Sequence, residues 1–141
     1  MLINLIKKIR KVWLSNKNFS IIADNCWGGF VYKYFWLEYK TPFVGVFLFP
    51  ECYIALLENL KIYMWMDLNF INYYESRYYE KIKSWNNLWY PIGTLDNGIE
   101  IHFLHYKSVQ EAKEKWTKRK MRINYENLLI KFSEQNKYLP A

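Results

Sequence analysis

The run Thr41-Pro-Phe-Val-Gly-Val-Phe-Leu-Phe49 sets the strongest limit on the fold. Its apolar character is nearly continuous and does not alternate. A half-exposed strand alternates; a run like this has to be covered on both faces, as in a parallel sheet sandwiched by helices. It predicts a strand inside an α/β domain. Phe19-Ser-Ile-Ile-Ala-Asp24 predicts an earlier short strand of the same kind. Asn25-Cys26-Trp27-Gly28-Gly29 then reads as a turn into a helix from about Phe30 to Leu37. Pro50-Glu51 opens the next helix, because Pro suits a first helical position and Glu complements the positive end of the dipole. Tyr53, Leu56, Leu57, Leu60 and Met64 form its apolar stripe.

The second half changes character. Residues Asp67 to Tyr73 predict a strand, and the Tyr- and Trp-rich segment Tyr73 to Trp89 predicts a loop with some helix. Leu88 to Leu95 and Ile99 to His105 predict two strands joined by Asp96-Asn97-Gly98, whose Asn-Gly pair is a strong hairpin signal. Ser108-Val-Gln-Glu111 has the spacing of a capping box and starts a helix running to about Arg122, with a stripe of Val109, Ala112, Trp116 and Ile123. Asn127 to Phe132 predicts a last strand. The expected architecture is α/β: a single three-layer domain, residues 15–141, with a mixed, largely parallel sheet and one antiparallel hairpin.

Residues 1–14 stand apart. Leu2, Leu5, Ile6, Ile9 and Trp13 repeat at helical spacing, and Lys7, Lys8, Arg10 and Lys11 fill the rest. The charges interrupt the apolar region, so this is no secretory signal. A basic amphipathic helix either lies on an anionic membrane surface, with Trp13 at the interface, or docks its apolar stripe on the domain. No apolar run approaches the roughly 18 residues of a spanning helix. The whole chain has 20 Lys and Arg against 13 Asp and Glu among 141 residues, a formal charge of +7. A nucleic-acid partner is disfavoured: the cations Lys113, Lys115, Lys118, Arg119, Lys120 and Arg122 cover more than one helix face, Glu111 and Glu114 are interleaved, and no recognition module accompanies them. Cys26 and Cys52 form neither a CxxC pair nor a disulfide framework, which points to a reducing, cytoplasmic setting.

Five constellations carry chemistry. Asn25 to Gly29 ends a strand before a helix, where ligands of open α/β sheets bind; glycines there admit a ligand to the backbone or simply permit a tight turn around a core Trp27. The spacing matches neither GxGxxG nor a Walker loop, so no cofactor is named by it. Cys26 is a candidate nucleophile that needs a base or cationic neighbour, and otherwise an inert buried thiol. His102 and His105 are candidate acid–base groups, but three residues apart on a strand they face opposite ways and do not share a metal. Glu51 is a candidate base or hydroxyl binder, against plain helix capping. Arg119 and Arg122, beside the apolar stripe, are the candidate anion contacts.

The blocks Asn25-Cys-Trp-Gly-Gly-Phe30, Thr41-Pro-Phe43, Pro50-Glu-Cys-Tyr53, Tyr90-Pro-Ile-Gly93, Ile101-His-Phe-Leu-His-Tyr106, Glu111-Ala112, Lys115-Trp116 and Arg119 to Asn124 together resemble one bacterial family. It is the DUF1919 family, whose members are often named exopolysaccharide biosynthesis proteins or, loosely, acetyltransferases. The resemblance covers about Phe19 to Phe132. It implies an α/β fold and a role among surface-polysaccharide functions, without assigning a reaction or a cofactor. The family commonly has Asn where Asp24 stands, and its members often continue past Phe132, which implies a short form here. Residues and resemblance together suggest a transferase acting on a sugar or glycan precursor, with a phosphorylated or acyl donor. Asn25, Cys26, Gly28, Gly29, Glu51 and His105 would form its site. The rival reading is a non-catalytic accessory protein at the inner membrane face that binds a glycan or lipid-linked precursor on its aromatic residues.

Overall fold

The computed structural model describes residues 1–85 and 89–133. Helix α1 (Leu2–Trp13) leads to strand β1 (Ser20–Ala23). Helices α2 (Trp27–Tyr34), α3 (Pro50–Glu58) and α4 (Leu60–Trp65) follow. Next come β2 (Asn69–Ile71), α5 (Tyr79–Ile82), β3 (Ile92–Leu95) and β4 (Ile99–His102). Helix α6 (Val109–Lys120) and strand β5 (Leu128–Lys131) complete the order. Strands β1 and β5 pair in parallel, and β2, β3 and β4 form an antiparallel meander. This is an α/β chain with both parallel and antiparallel pairing, the hairpin lying at β3–β4.

The two ladders are not independent. Phe47 pairs with His102 of β4 through two backbone hydrogen bonds, of 2.8 and 2.9 Å, and the Leu48 N–H donates to Asp24 O at 2.9 Å. Residues 46–48 thus tie the end of β1 to the edge of the meander. On β1, Ile22 faces the main core while Ile21 and Ala23 face a smaller cluster with Phe19 and Tyr32. Alternation along a strand sends neighbours to opposite faces, so covering both faces buries all four residues. The main core gathers residues 46–49, α3, α4, the meander, and Ala112 and Trp116 of α6.

Several predicted elements shift. The segment Thr41 to Phe49 is largely buried as expected, but only Phe47 makes a strand-like pairing. Pro42 lacks an N–H, the Phe43 N–H turns back to Thr41 Oγ1, and Gly45 adopts φ 67°. Those turns put the run in the core without extending it. Gly28 and Gly29 lie inside α2 rather than in a turn before it. A Cβ on Gly28 would come within 3.0 Å of Ile21, and one on Gly29 within 3.2 Å of Val44, so α2 approaches β1 and residue 44 because both side chains are missing. The helix from Pro50 breaks at Asn59, with φ −139° and ψ 44°. Strand β4 ends at His102, and His105 sits in the turn beyond it. The expected strand start at Leu88 lies outside the described residues.

Candidate functional site

A cleft of about 360 Å³ opens where four parts of the chain meet. Helix α2 and its preceding residue supply Cys26, Gly29, Phe30 and Lys33, one face at helical spacing. Val44 and Gly45 form a second wall, the His105–Tyr106 turn a third, and Lys115 and Arg119 of α6 a fourth, with Tyr39 at the edge. Gly45 is required at its position. Its φ of 67° disfavours any side chain, and a Cβ would lie 3.2 Å from Tyr106 and 3.3 Å from His105. The His105 N–H donates to Gly45 O at 3.3 Å, which fixes the turn carrying the imidazole.

The cationic wall is braced. Arg119 donates from Nη1 to Tyr106 Oη at 2.9 Å, and its guanidinium lies 4.7 Å from the Tyr39 ring centre. Tyr106 in turn donates to Val44 O at 2.6 Å. A guanidinium held on two sides loses little further freedom when it takes an anion. Lys115 is paired to Glu111 at 2.6 Å, and Lys33 adds a third cation. A neighbouring hollow shares Tyr39, Lys115 and Arg119 and adds Lys118 and Arg122. Arg122 is committed there to Glu38, at 3.1 Å, and to Tyr39 O.

Of the candidate residues, Cys26, Gly29, His105 and Arg119 meet in this cleft. Burial pushes the Cys26 thiol up, so its thiolate is disfavoured, and its Sγ lies 3.8 Å from Val46 O. That environment suits a neutral lining group better than a nucleophile. The others lie elsewhere. Asn25 Oδ1 accepts from the Trp27 N–H at 3.0 Å, in a local turn. Trp27 is half-exposed under Lys131, and Gly28 packs on Ile21.

Glu51, exposed, and His102, buried, belong to a separate network. Tyr78 Oη lies 3.3 Å from both Glu51 Oε2 and Cys52 Sγ. Glu100 accepts from Ser76 Oγ at 2.6 Å and from the Arg77 N–H at 2.7 Å. His102, fully buried, has Tyr90 Oη 3.0 Å from Nδ1, and a bent 3.2 Å contact from Nε2 to Glu100. Burial pushes the His102 pKa down despite the Glu100 carboxylate. Burial alone would raise Glu100, but His102, Ser76 and the Arg77 N–H outweigh it and hold the carboxyl below its usual value. The neutral imidazole with its proton on Nε2 fits both contacts, Tyr90 donating to Nδ1. Ser76 and His102 both address Glu100, so the imidazole does not stand between the serine and the carboxylate as it does in a Ser–His–acid triad. Tyr73, Tyr78 and Tyr90 pack in and around this network, so much of the aromatic segment is core lining.

Lys33, Tyr39, Gly45, Tyr106 and Lys115 line the cleft although nothing marked them as site residues. Two spacings carried the signal: Cys26, Gly29, Phe30 and Lys33 on one turn pattern, and Lys115 with Arg119 at i,i+4. Among the described residues no group of three or more His, Cys, Asp or Glu side chains is placed to hold a metal ion.

A family model described as "Domain of unknown function (DUF1919)" matches residues 1–139. The chain is also 32% identical, over 123 residues, to an uncharacterized protein of Haemophilus influenzae. The match covers 87% of this chain and 53% of that protein, so the chain spans about half the length of the curated relative it matches.

Proposed function

The chain belongs to the DUF1919 family, and from that premise we propose that it serves cell-surface polysaccharide biosynthesis as a transferase, with the cleft as the site for a phosphorylated or acyl donor of a sugar or glycan precursor. The observation that carries this is the convergence of His105 with Lys33, Lys115 and Arg119 around one cavity. A cleft with three cations and no carboxylate in its lining suits a phosphate-bearing donor. The single imidazole in the lining, that of His105, suits proton removal from a sugar hydroxyl. The working side is the cytoplasmic one, in keeping with two unpaired thiols, Cys26 and Cys52.

In this reading His105 accepts the proton of an acceptor hydroxyl. The hydroxyl oxygen forms a bond to the anomeric or acyl carbon of the donor, and the bond from that carbon to the leaving group breaks. Arg119, held by Tyr106 and Tyr39, neutralises the negative charge that the leaving group gains. Glu51 and His102 have no part in it, because they lie in the separate network, and Cys26 contributes packing.

The test is transfer from labelled nucleotide-sugar and acyl donors to glycan acceptors, alongside binding of a nucleoside diphosphate by calorimetry. His105→Ala should abolish turnover and keep binding, while Arg119→Gln should weaken binding. Turnover unchanged in His105→Ala removes the base. Diphosphate binding without any turnover favours the accessory, non-catalytic reading instead.

A further inference from the structure

Helix α1 sits on the protein the unexpected way round. Two of its four cations reach back to the domain: the Arg10 guanidinium lies 3.9 Å from the Tyr34 ring centre, and Lys8 Nζ lies 5.5 Å from that of Trp36. Its apolar stripe points away. Leu5 is 56% exposed, Ile9 45%, Val12 76% and Trp13 83%, and no residue of the helix is buried. Packing on the domain, the ordinary fate of such a stripe, is therefore not what covers it. The open surface continues beyond the helix. Tyr34, which Arg10 covers, shares a shallow hollow with Phe30, and Phe30 is 63% exposed as well as lining the cationic cleft.

We propose that α1 and the exposed aromatic side chains of α2 form a docking face for an anionic phospholipid surface, with the cleft opening at its border. The occupant follows from the chemistry of the face. The helix carries Lys7, Lys8, Arg10 and Lys11 with no acidic residue among Leu2–Trp13, and anionic headgroups answer those cations while the acyl boundary takes the stripe. Trp13 at the end of the stripe has the amphipathic ring that prefers this depth. A second copy fits poorly, since the same face on both partners would bring two sets of four cations together. This reading is independent of what the cleft binds.

Co-sedimentation with vesicles of phosphatidylcholine, alone and mixed with phosphatidylglycerol, tests it on the full chain. The protein should bind the anionic vesicles, bind the neutral ones weakly, and come off as salt is raised. Lys7→Gln with Lys11→Gln should lower partitioning on the order of 30-fold, each cation near such a surface being worth about 1 kcal/mol. Leu5→Gln with Ile9→Gln, at exposed positions that leave the core intact, should lower it at least about tenfold. Three results would overturn the proposal: no binding to anionic vesicles, binding indifferent to the Leu5 and Ile9 substitutions, or a concentration-dependent dimer that those substitutions abolish. Arg119→Gln should keep vesicle binding while losing cleft binding, so failure of one reading leaves the other measurable.

Discussion

Replacing Gly45 by Ala should damage stability and the cleft together, and Gly98 provides the internal control. Both glycines have left-handed backbone, φ 67° at Gly45 and φ 74° at Gly98. A Cβ in that region costs about 1–2 kcal/mol. At Gly98 the added methyl meets nothing within 4 Å, so the backbone cost is all that changes. At Gly45 it meets Tyr106 Cε2 at 3.2 Å and His105 Cβ at 3.3 Å. Tyr106 cannot swing aside freely, because its hydroxyl is bound to Val44 O and Arg119. Overpacking of this kind adds roughly 1–3 kcal/mol. Gly45→Ala should therefore lose about 2–5 kcal/mol, against about 1–2 for Gly98→Ala. Urea denaturation of both variants, with unchanged m-values, reads the difference directly. Nucleoside diphosphate binding should weaken in Gly45→Ala alone, since only there does the added methyl press on the residues that carry His105 and brace Arg119. Equal losses of stability in the two variants would refute the crowding argument and leave only backbone strain.

Other outcomes follow from the same contacts. Wild-type stability should fall as pH drops below the ordinary histidine value of 6.5, because burial makes the folded state resist protonating His102 while the unfolded chain accepts the proton. Glu100 extends that loss at lower pH, since its carboxyl is held below 4.5 in the fold; denaturation of His102→Gln at pH 7 and pH 5 should show a flatter dependence. Asp24 has the opposite sign, because burial lifts its carboxyl above 3.8; Asp24→Asn should be more stable than wild type at neutral pH, and a loss there would refute the sign. Trp116→Ala should cost about 3–5 kcal/mol by calorimetry, since the ring is buried between Phe43 and Phe103. Cys26 should alkylate slowly with iodoacetamide at neutral pH, and Cys26→Ala should retain any turnover.

Much of the framework was legible because its signals are local. Ser108 caps α6 through the Glu111 N–H, as its spacing predicts, and the Ile99 strand pairs with its neighbour across Asp96-Asn97-Gly98. The Glu111 carboxylate goes to the Lys107 N–H, one residue beyond the capping-box target. What failed was decided by distant neighbours. Gly28 and Gly29 are poor helix residues, yet contact with Ile21 and Val44 outweighs a propensity term of about 1 kcal/mol each. Burial of residues 41–49 was readable but their course was not, because a run covered on both faces carries no period to distinguish strand from turn. Glu51 opens a helix directly after the buried 41–49 run, and sequence order alone does not show where its carboxylate points. The first turn of α3 aims its carboxylate at Tyr78. His105 reached the cleft by a route that alternation along a strand does not describe, since the strand had already ended.

The 46–48 link between the two ladders has a mechanical consequence. Cys26 and Gly29 follow β1, His105 and Tyr106 follow β4, and Val44 and Gly45 lead into the 46–48 link between them. A ligand seated in the cleft would touch segments from both halves and act as a strut between them. Amide hydrogen exchange should then slow in β1 and β4 together on occupancy, as one cooperative unit, rather than only at the residues the ligand touches.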